Sequence, residues 1–323
     1  MNKLVQVLVA AAVVLSAPAT AVAQAYPSKP VRILVGFAAG GATDLTARML
    51  AQKLAEISGQ AFVVENRTGA SGMIAADALA KAAPDGHTLL VTSQSSHAVG
   101  PIFYGKSPYD PVRDFAPVTV LASSPLLLVV HPSVPAKSVG ELIELARANP
   151  GRLGFGSAGN GSVIHLTTEL FSSMSGVRLL HVPYKGESAA LTDMLGGQLS
   201  VLFANVPVAM PHVRSGKLRA LAVTSASRLP NAGDYPTVAE SGLAGFDVAT
   251  WLYLFAPAAT PREVVLKLNA ESARALNQPE VRNKLAEQGL FAVANSPEQC
   301  ADHLKIEIAK WAKVIRESGA KPD

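Results

Sequence analysis

A single cysteine, Cys300, stands in 323 residues, so no disulfide can form within the chain, whatever the redox state of its compartment. It falls in the helical pattern SPEQCADHL, where a buried thiol serves as a small apolar filler. The seven histidines (His87, His97, His131, His165, His181, His212 and His303) do not pair with one another or with the cysteine at zinc-ligand spacing, so no metal is expected. Charge is sparse: Asp, Glu, Lys and Arg make up 16% of the chain, and 28 cations against 24 anions leave a net charge of +4. No basic run interleaves with aromatics, which argues against nucleic acid as a partner. No G-x-S-x-G turn occurs and no ordered Ser–His–Asp set can be assembled, so the sequence offers no nucleophile and base. Beyond the N-terminus no apolar run is long enough to cross a bilayer, and no membrane insertion of the mature chain is expected.

The N-terminus is different. Lys3 is the only charge before residue 29, and Leu4 to Leu15 is apolar except for Gln6. Ala23-Gln24-Ala25 follows with the small-residue pattern of a signal peptidase site. Residues 1–25 therefore read as a secretory signal whose core is too short to span. The mature chain is expected to begin near Tyr26, in the periplasm, without a lipid anchor, because no cysteine lies near the cleavage site.

From Pro30 onward short apolar runs alternate with helical patterns. VRILVGF reads as a buried strand, GGATDLTARMLAQKLAEISG as a helix with Leu50, Leu54 and Ile57 on one face, AFVVEN as a strand, GASGMIAADALAKAAPDG as a helix, and HTLLVTS as a third strand. A second run repeats the order: RLGFGSAGNGS, IHLTTELFSSMSG, RLLHVPY, KGESAALTDMLGG and LSVLFANV. Phe37 and Phe155 hold matching positions before a glycine loop, and Gly72 and Gly186 each open the second helix. Alternation of this kind predicts an α/β fold of two lobes, each a mostly parallel sheet flanked by helices. FAPVTVLASSPLLLVVHPSVP and FDVATWLYLFAPAATP are expected to cross between the lobes as a hinge. Lobe 1 then comprises 26–124 plus 250–323, lobe 2 comprises 125–249, and the C-terminal helices pack back on lobe 1.

In open parallel sheets ligands sit beyond the carboxyl ends of the strands. Two glycine loops occupy that place and lead straight into helices, whose free N–H groups and positive dipole ends attract anions. The first supplies Phe37, Gly40, Gly41, Ala42, Thr43 and Asp44, and the second Ser157, Ala158, Gly159, Asn160, Gly161 and Ser162, with His165 just inside the following helix. Thr43 and Ser162 serve equally well as helix caps, and Asp44 complements the dipole of its own helix. GFGSAGNG contains a literal G-x-G-x-x-G, but the next strand ends in Pro183, Tyr184 and Lys185 where a dinucleotide site needs an acid to hold the ribose. A dinucleotide cofactor is therefore not expected, nor any other. Neither loop contains Arg or Lys, so a carboxylate held by neutral donors suits the pair. Ser93, Asn205 and Thr250, at strand ends, are candidates for the distal part of the ligand. Arg67 and Trp251 read as structural.

GFAAGGATDLTARMLAQKL, VVENRTGASG, PDGHTLLVTS, the glycine loop with IHLTTELF, and HVPYKGESAALTDMLGGQ together resemble the Bug-type receptors, the extracytoplasmic solute-binding proteins of tripartite tricarboxylate transporters. The resemblance runs from about Pro30 to Trp311. It implies a two-lobed periplasmic binding fold that closes on a small organic acid, does no chemistry on it, and delivers it to membrane transporter subunits. It further implies that backbone groups of the two loops, matching Phe37 to Asp44 and Ser157 to Ser162, hold a ligand carboxylate. Gly36 departs from the pattern, which often has Pro there, and is expected to loosen the approach to the first loop. A ligand-presenting partner of a signalling receptor, or a periplasmic hydrolase using His165 or Asp44, is an alternative at this level. An amino acid, an aromatic acid and a di- or tricarboxylate all fit, and a monomer is expected.

Overall fold

The computed structural model describes residues 26–229, 235–287, 289–318 and 320–322; the expected export signal at 1–25 lies outside them. The first half runs β1 (Val31–Val35), α1 (Ala42–Ser58), β2 (Phe62–Asn66), a 3-10 turn (Ala70–Gly72), α2 (Met73–Ala80) and β3 (Thr88–Ser93). β1 pairs in parallel with both β2 and β3. Its residues Val31, Ile33, Leu34 and Val35 are fully buried, as a strand covered on both faces requires. α1 ends on Gly59, whose left-handed φ of 73° closes the helix with an N–H to Ala55 O. A π turn (Ser95–Val99) and α3 (Gly100–Phe103) follow β3.

β4 (Phe115–Val130) is the long apolar strand expected from the sequence. It runs antiparallel to β9 (Ala249–Pro257) from Phe115 to Pro125, then exchanges that partner for β7 (Val201–Asn205) at Leu126. Register shifts between Pro117 and Thr119 and between Val120 and Ala122 accompany its pairing with β9, and Pro117, which has no N–H to give the ladder, lies at the first of them. One curled sheet thus joins two half-sheets through two crossing strands.

The second half contains α4 (Val139–Ala148), β5 (Gly154–Ser157), α5 (Val163–Ser175), β6 (Leu180–Pro183), α6 (Glu187–Leu195), β7, α7 (Val206–Arg214) and β8 (Arg219–Val223). β5 is parallel to β6 and β7, and β4 lies between β7 and β8. The fold is the two-lobed periplasmic binding type. α8 (Arg262–Leu276), α9 (Pro279–Glu287), β10 (Phe291–Ala292) and α10 (Pro297–Ser318) complete the chain.

α8 packs on α1 and β4. α10 does not keep to the first half: it lies on β4 and the π turn and also on α5. The stripe Cys300, Leu304, Trp311 and Val314 joins the core cluster that contains Phe155, Phe171 and Phe203 of the second half. A 22-residue helix with an apolar face along its length reaches past one lobe and packs on both. Cys300 is fully buried, and burial pushes its thiol up to about 12, consistent with an inert filler.

Candidate functional site

The carboxyl ends of β1 and β5 face one another across the junction of the halves. A cavity between them is lined by Phe37, Ala38, Gly41, Ala42 and Thr43 from the first loop and by Ala158, Ser162, Val163 and Ile164 from the second. Ser93, Ser95, Glu187, Asn205 and Thr250 complete the wall. Two helix N-termini, of α1 and α5, thus meet one space whose lining contains no Arg or Lys. α1 begins at Gly41, which has no side chain to cap its first N–H groups. α5 is capped by Ser162, whose Oγ accepts the His165 N–H at 3.2 Å.

The halves are in contact around this space. Val163 N–H donates to Ser95 Oγ at 3.0 Å, Ser188 Oγ donates to Ala39 O at 2.9 Å, and Tyr104 OH donates to Asn160 O at 2.7 Å. Ser71 Oγ donates to the same carbonyl of Asn160. Gly186, just before α6, sits against Ala38: a Cβ there would lie 2.9 Å from Ala38 Cβ. Gly36 plays a similar part, since a Cβ on it would come within 2.6 Å of Gly72 Cα. The expected loosening at Gly36 is therefore not seen; glycine there lets two backbones touch and packs the approach to the first loop.

Glu187 is the only ionisable side chain in the lining. It is buried, and its carboxylate accepts the backbone N–H of Asn205 and the Asn205 Nδ2 at 2.8 Å, with the backbone N–H of Ala42 near enough to favour its charged form. Burial pushes its acid up to about 7 against the pull of those donors. A carboxylate from the second half thereby stands near the α1 N-terminus, a placement that terminus favours.

Of the residues expected at the site, Phe37, Gly41, Ala42, Thr43, Ser93, Ala158, Ser162, Asn205 and Thr250 line the cavity. Gly40 and Asp44 lie behind it: Asp44 accepts from Gly40 N–H at 3.0 Å, Arg48 Nε at 2.9 Å and Asn66 Nδ2 at 2.9 Å. Burial would raise the Asp44 acid, but these partners outweigh it and hold it below the usual range. Ser157, Gly161 and His165 form the scaffold of the second loop. Ser157 Oγ lies 2.6 Å from His181 Nε2, Gly161 N–H donates to His165 Nδ1 at 3.1 Å, and the two imidazoles stack at 3.9 Å. Gly159 and Asn160 line a second cavity with Ser71, Tyr104, Tyr184 and Lys185. Arg67 pairs with Glu65 at 2.6 Å, and Trp251 packs edge-on to His303 at 4.4 Å.

Ala38, Ser95, Val163, Ile164 and Glu187 were not expected from the sequence. Ser95 sits two residues past Ser93 in a polar run at a strand's carboxyl end, and Glu187 follows the glycine that opens α6. Both positions carry a usable signal: the glycine before the second, Gly186, pairs with Gly72 by the internal repeat. Among the described residues no group of His, Cys, Asp and Glu could hold a metal ion, and no helix is long and apolar enough to cross a membrane.

Comparison with known proteins identifies the family. The model of the tripartite tricarboxylate transporter family receptor matches residues 46–320. Protein BugT of Bordetella pertussis is 40% identical, over 93% of this chain and 92% of its own. Two solved structures superpose along nearly the whole fold. An R. palustris protein, Rpa4515, solved with adipate, is 41% identical with a TM-score of 0.90, covering 92% of this chain and 100% of its own. MatC from Rhodopseudomonas palustris, with bound malate, is 35% identical with a TM-score of 0.86, covering 90% and 100%. These are binding receptors, not enzymes. The chain belongs to the tripartite tricarboxylate transporter receptor family, among the Bug-type periplasmic solute-binding proteins.

Proposed function

We propose that this chain captures a small carboxylated solute between its halves and delivers it to the membrane subunits of a tripartite transporter. The observation that carries the reading is the pair of helix N-termini facing one cavity without a cationic side chain. Neutral N–H and hydroxyl groups, pre-aimed by the two loops, bind a carboxylate without the desolvation of a buried Arg or Lys. Phe37, Gly41 to Thr43, Ala158 and Ser162 supply that end of the site; Gly40, Asp44, Ser157, Gly161 and His165 hold the loops in shape. Adipate and malate in the two relatives support a carboxylic acid as the ligand class.

The moving units are 26–124 with 250–323, and 125–249, hinged where β4 and β9 cross. A ligand that touches both favours the closed arrangement in proportion to its differential affinity for it. Residues 1–25 direct the chain to the periplasm, where it acts as a monomer.

A thermal-shift panel of mono-, di-, tri- and aromatic carboxylates on the mature chain tests this. At a hundredfold excess over Kd, binding adds about 2.7 kcal/mol, which raises Tm by several degrees in a chain of this size. Stabilisation by one class of acid is the expected result. No shift with any acid, on protein first freed of bound small molecules, would contradict it.

A further inference from the structure

The cavity holds more acceptors than a carboxylate site needs. Beside Glu187 stand Asn205 and Thr250, which are 4% and 5% exposed. Asn205 Oδ1 and Thr250 Oγ1 are both buried without a protein partner, and both residues line the same space. The orientation of the Asn205 amide follows from its surroundings. Its Nδ2 donates to Glu187 Oε2 at 2.8 Å, and exchanging the two ends would set a carbonyl oxygen against a carboxylate. Oδ1 is therefore the atom left over. A buried acceptor without a donor costs free energy that a ligand group can recover.

Resting on the carboxylate-receptor reading above, we infer that the solute carries a hydrogen-bond donor, an ammonium or a hydroxyl group, that lodges against Glu187, Asn205 and Thr250. These residues select it over the unsubstituted acid. The helix N-termini take the carboxylate, and the acceptor cluster takes the donor. A second carboxylate placed beside Glu187 meets a like charge with no Lys or Arg in the lining to offset it. An ammonium there gains an opposite charge in a buried place, and a hydroxyl gains acceptors alone. Malate has such a donor and adipate has none, so the two relatives leave the matter to this chain's own residues.

Calorimetric titration of the ligand-free mature chain with matched triplets separates the outcomes. The triplets are propionate, lactate and alanine; succinate, malate and aspartate; and adipate with its 2-hydroxy and 2-amino derivatives. In whichever skeleton fits, the hydroxy or amino member is expected to bind about tenfold or more tighter than the parent acid. A gain for the amino member alone identifies the donor as ammonium, and an equal gain for both identifies a neutral contact. Glu187→Gln should erase the preference for the amino member, read as the ratio of its affinity to that of the parent acid in the same variant. Thr250→Val, which keeps the side chain's shape, should reduce the preference for both substituted members. If the parent acid binds as tightly as its derivatives, the inference falls while the receptor reading stands. If both variants weaken all three members in parallel, these residues shape the site without selecting the donor, and the inference also falls. If no acid of any triplet, nor any in the thermal-shift panel, binds, both readings fall together.

Discussion

Ser95 and Val163 meet across the cleft: the first N–H of α5 donates to the Ser95 hydroxyl at 3.0 Å. One residue belongs to the first half and the other to the second, so this bond exists only while the halves are together. Val163 N–H is also one of the donors a helix start leaves unpaired, so the bond satisfies a backbone group and closes the site in one step.

Ser95→Ala removes that acceptor without adding bulk. A neutral hydrogen bond contributes about 0.5–1.5 kcal/mol, so affinity for whichever acid binds should fall by roughly two- to tenfold. The melting temperature of the ligand-free chain should change little. Titration calorimetry with a parallel melt reads both.

Gly186→Ala is a sharper probe of closure. Gly186 has an extended backbone, with φ of 166°, that alanine adopts freely, so the substitution adds no backbone strain. Its methyl group would stand 3.0 Å from Ala38 N and closer still to Ala38 Cβ, a collision between the two halves. Overpacking of this kind costs about 1–3 kcal/mol. Affinity is expected to fall by about tenfold or more, while denaturant unfolding of the free chain keeps its slope and midpoint.

Glu187 sets a pH dependence. Its acid stands at about 7 in the folded chain against an ordinary 4.5, so the folded state holds its proton more firmly than the unfolded state does. The stabilisation this gives is complete below about pH 4.5 and is lost as pH rises through 7, amounting to about 3 kcal/mol at most. Glu271 and Glu307, both raised chiefly by burial, act in the same direction, so the contribution of Glu187 is the difference between the wild-type and Glu187→Gln curves. Stability of the variant should fall less between pH 4.5 and 7.5. Equal slopes would mean that the buried carboxylate titrates near its ordinary value.

Trp311→Ala tests the role of α10. Trp311 is fully buried, and its indole donates to Glu307 Oε2 at 2.9 Å. Its removal leaves a large cavity and deprives a buried carboxylate of a donor, at about 3–5 kcal/mol. The melting temperature should drop by roughly 10 °C.

Much of this architecture is legible in the residues. β1, β3 and β7 are short apolar runs bounded by glycine or polar turns, and β4 is too long and apolar to be anything but a spanning strand. The two anion-ready loops follow from glycines placed between strand and helix. Other elements defeat local reading. α7 carries Pro207 at its start and Pro211 inside, so propensity argues against the helix that packing on β4 and β7 nonetheless supports. The π turn at Ser95–Val99 has no simple periodicity. Glu187 escapes for another reason: its carboxylate meets Asn205, 18 residues on, only once α6 packs beside β7, and it nears Ala42 of the other half only where the two halves join. Asp44 shows the converse, a residue placed next to the site by sequence whose side chain turns back into its own helix and Asn66.

The central claim is that one carboxylate is held by two helix starts from opposite halves. A crystal structure of the mature chain with the acid that gives the largest thermal shift tests it most directly. The account predicts a carboxylate within hydrogen-bond distance of N–H groups from both Gly41–Thr43 and Ser162–Ile164. A carboxylate found instead in the cavity beside Lys185, or bound to one half alone, would contradict it.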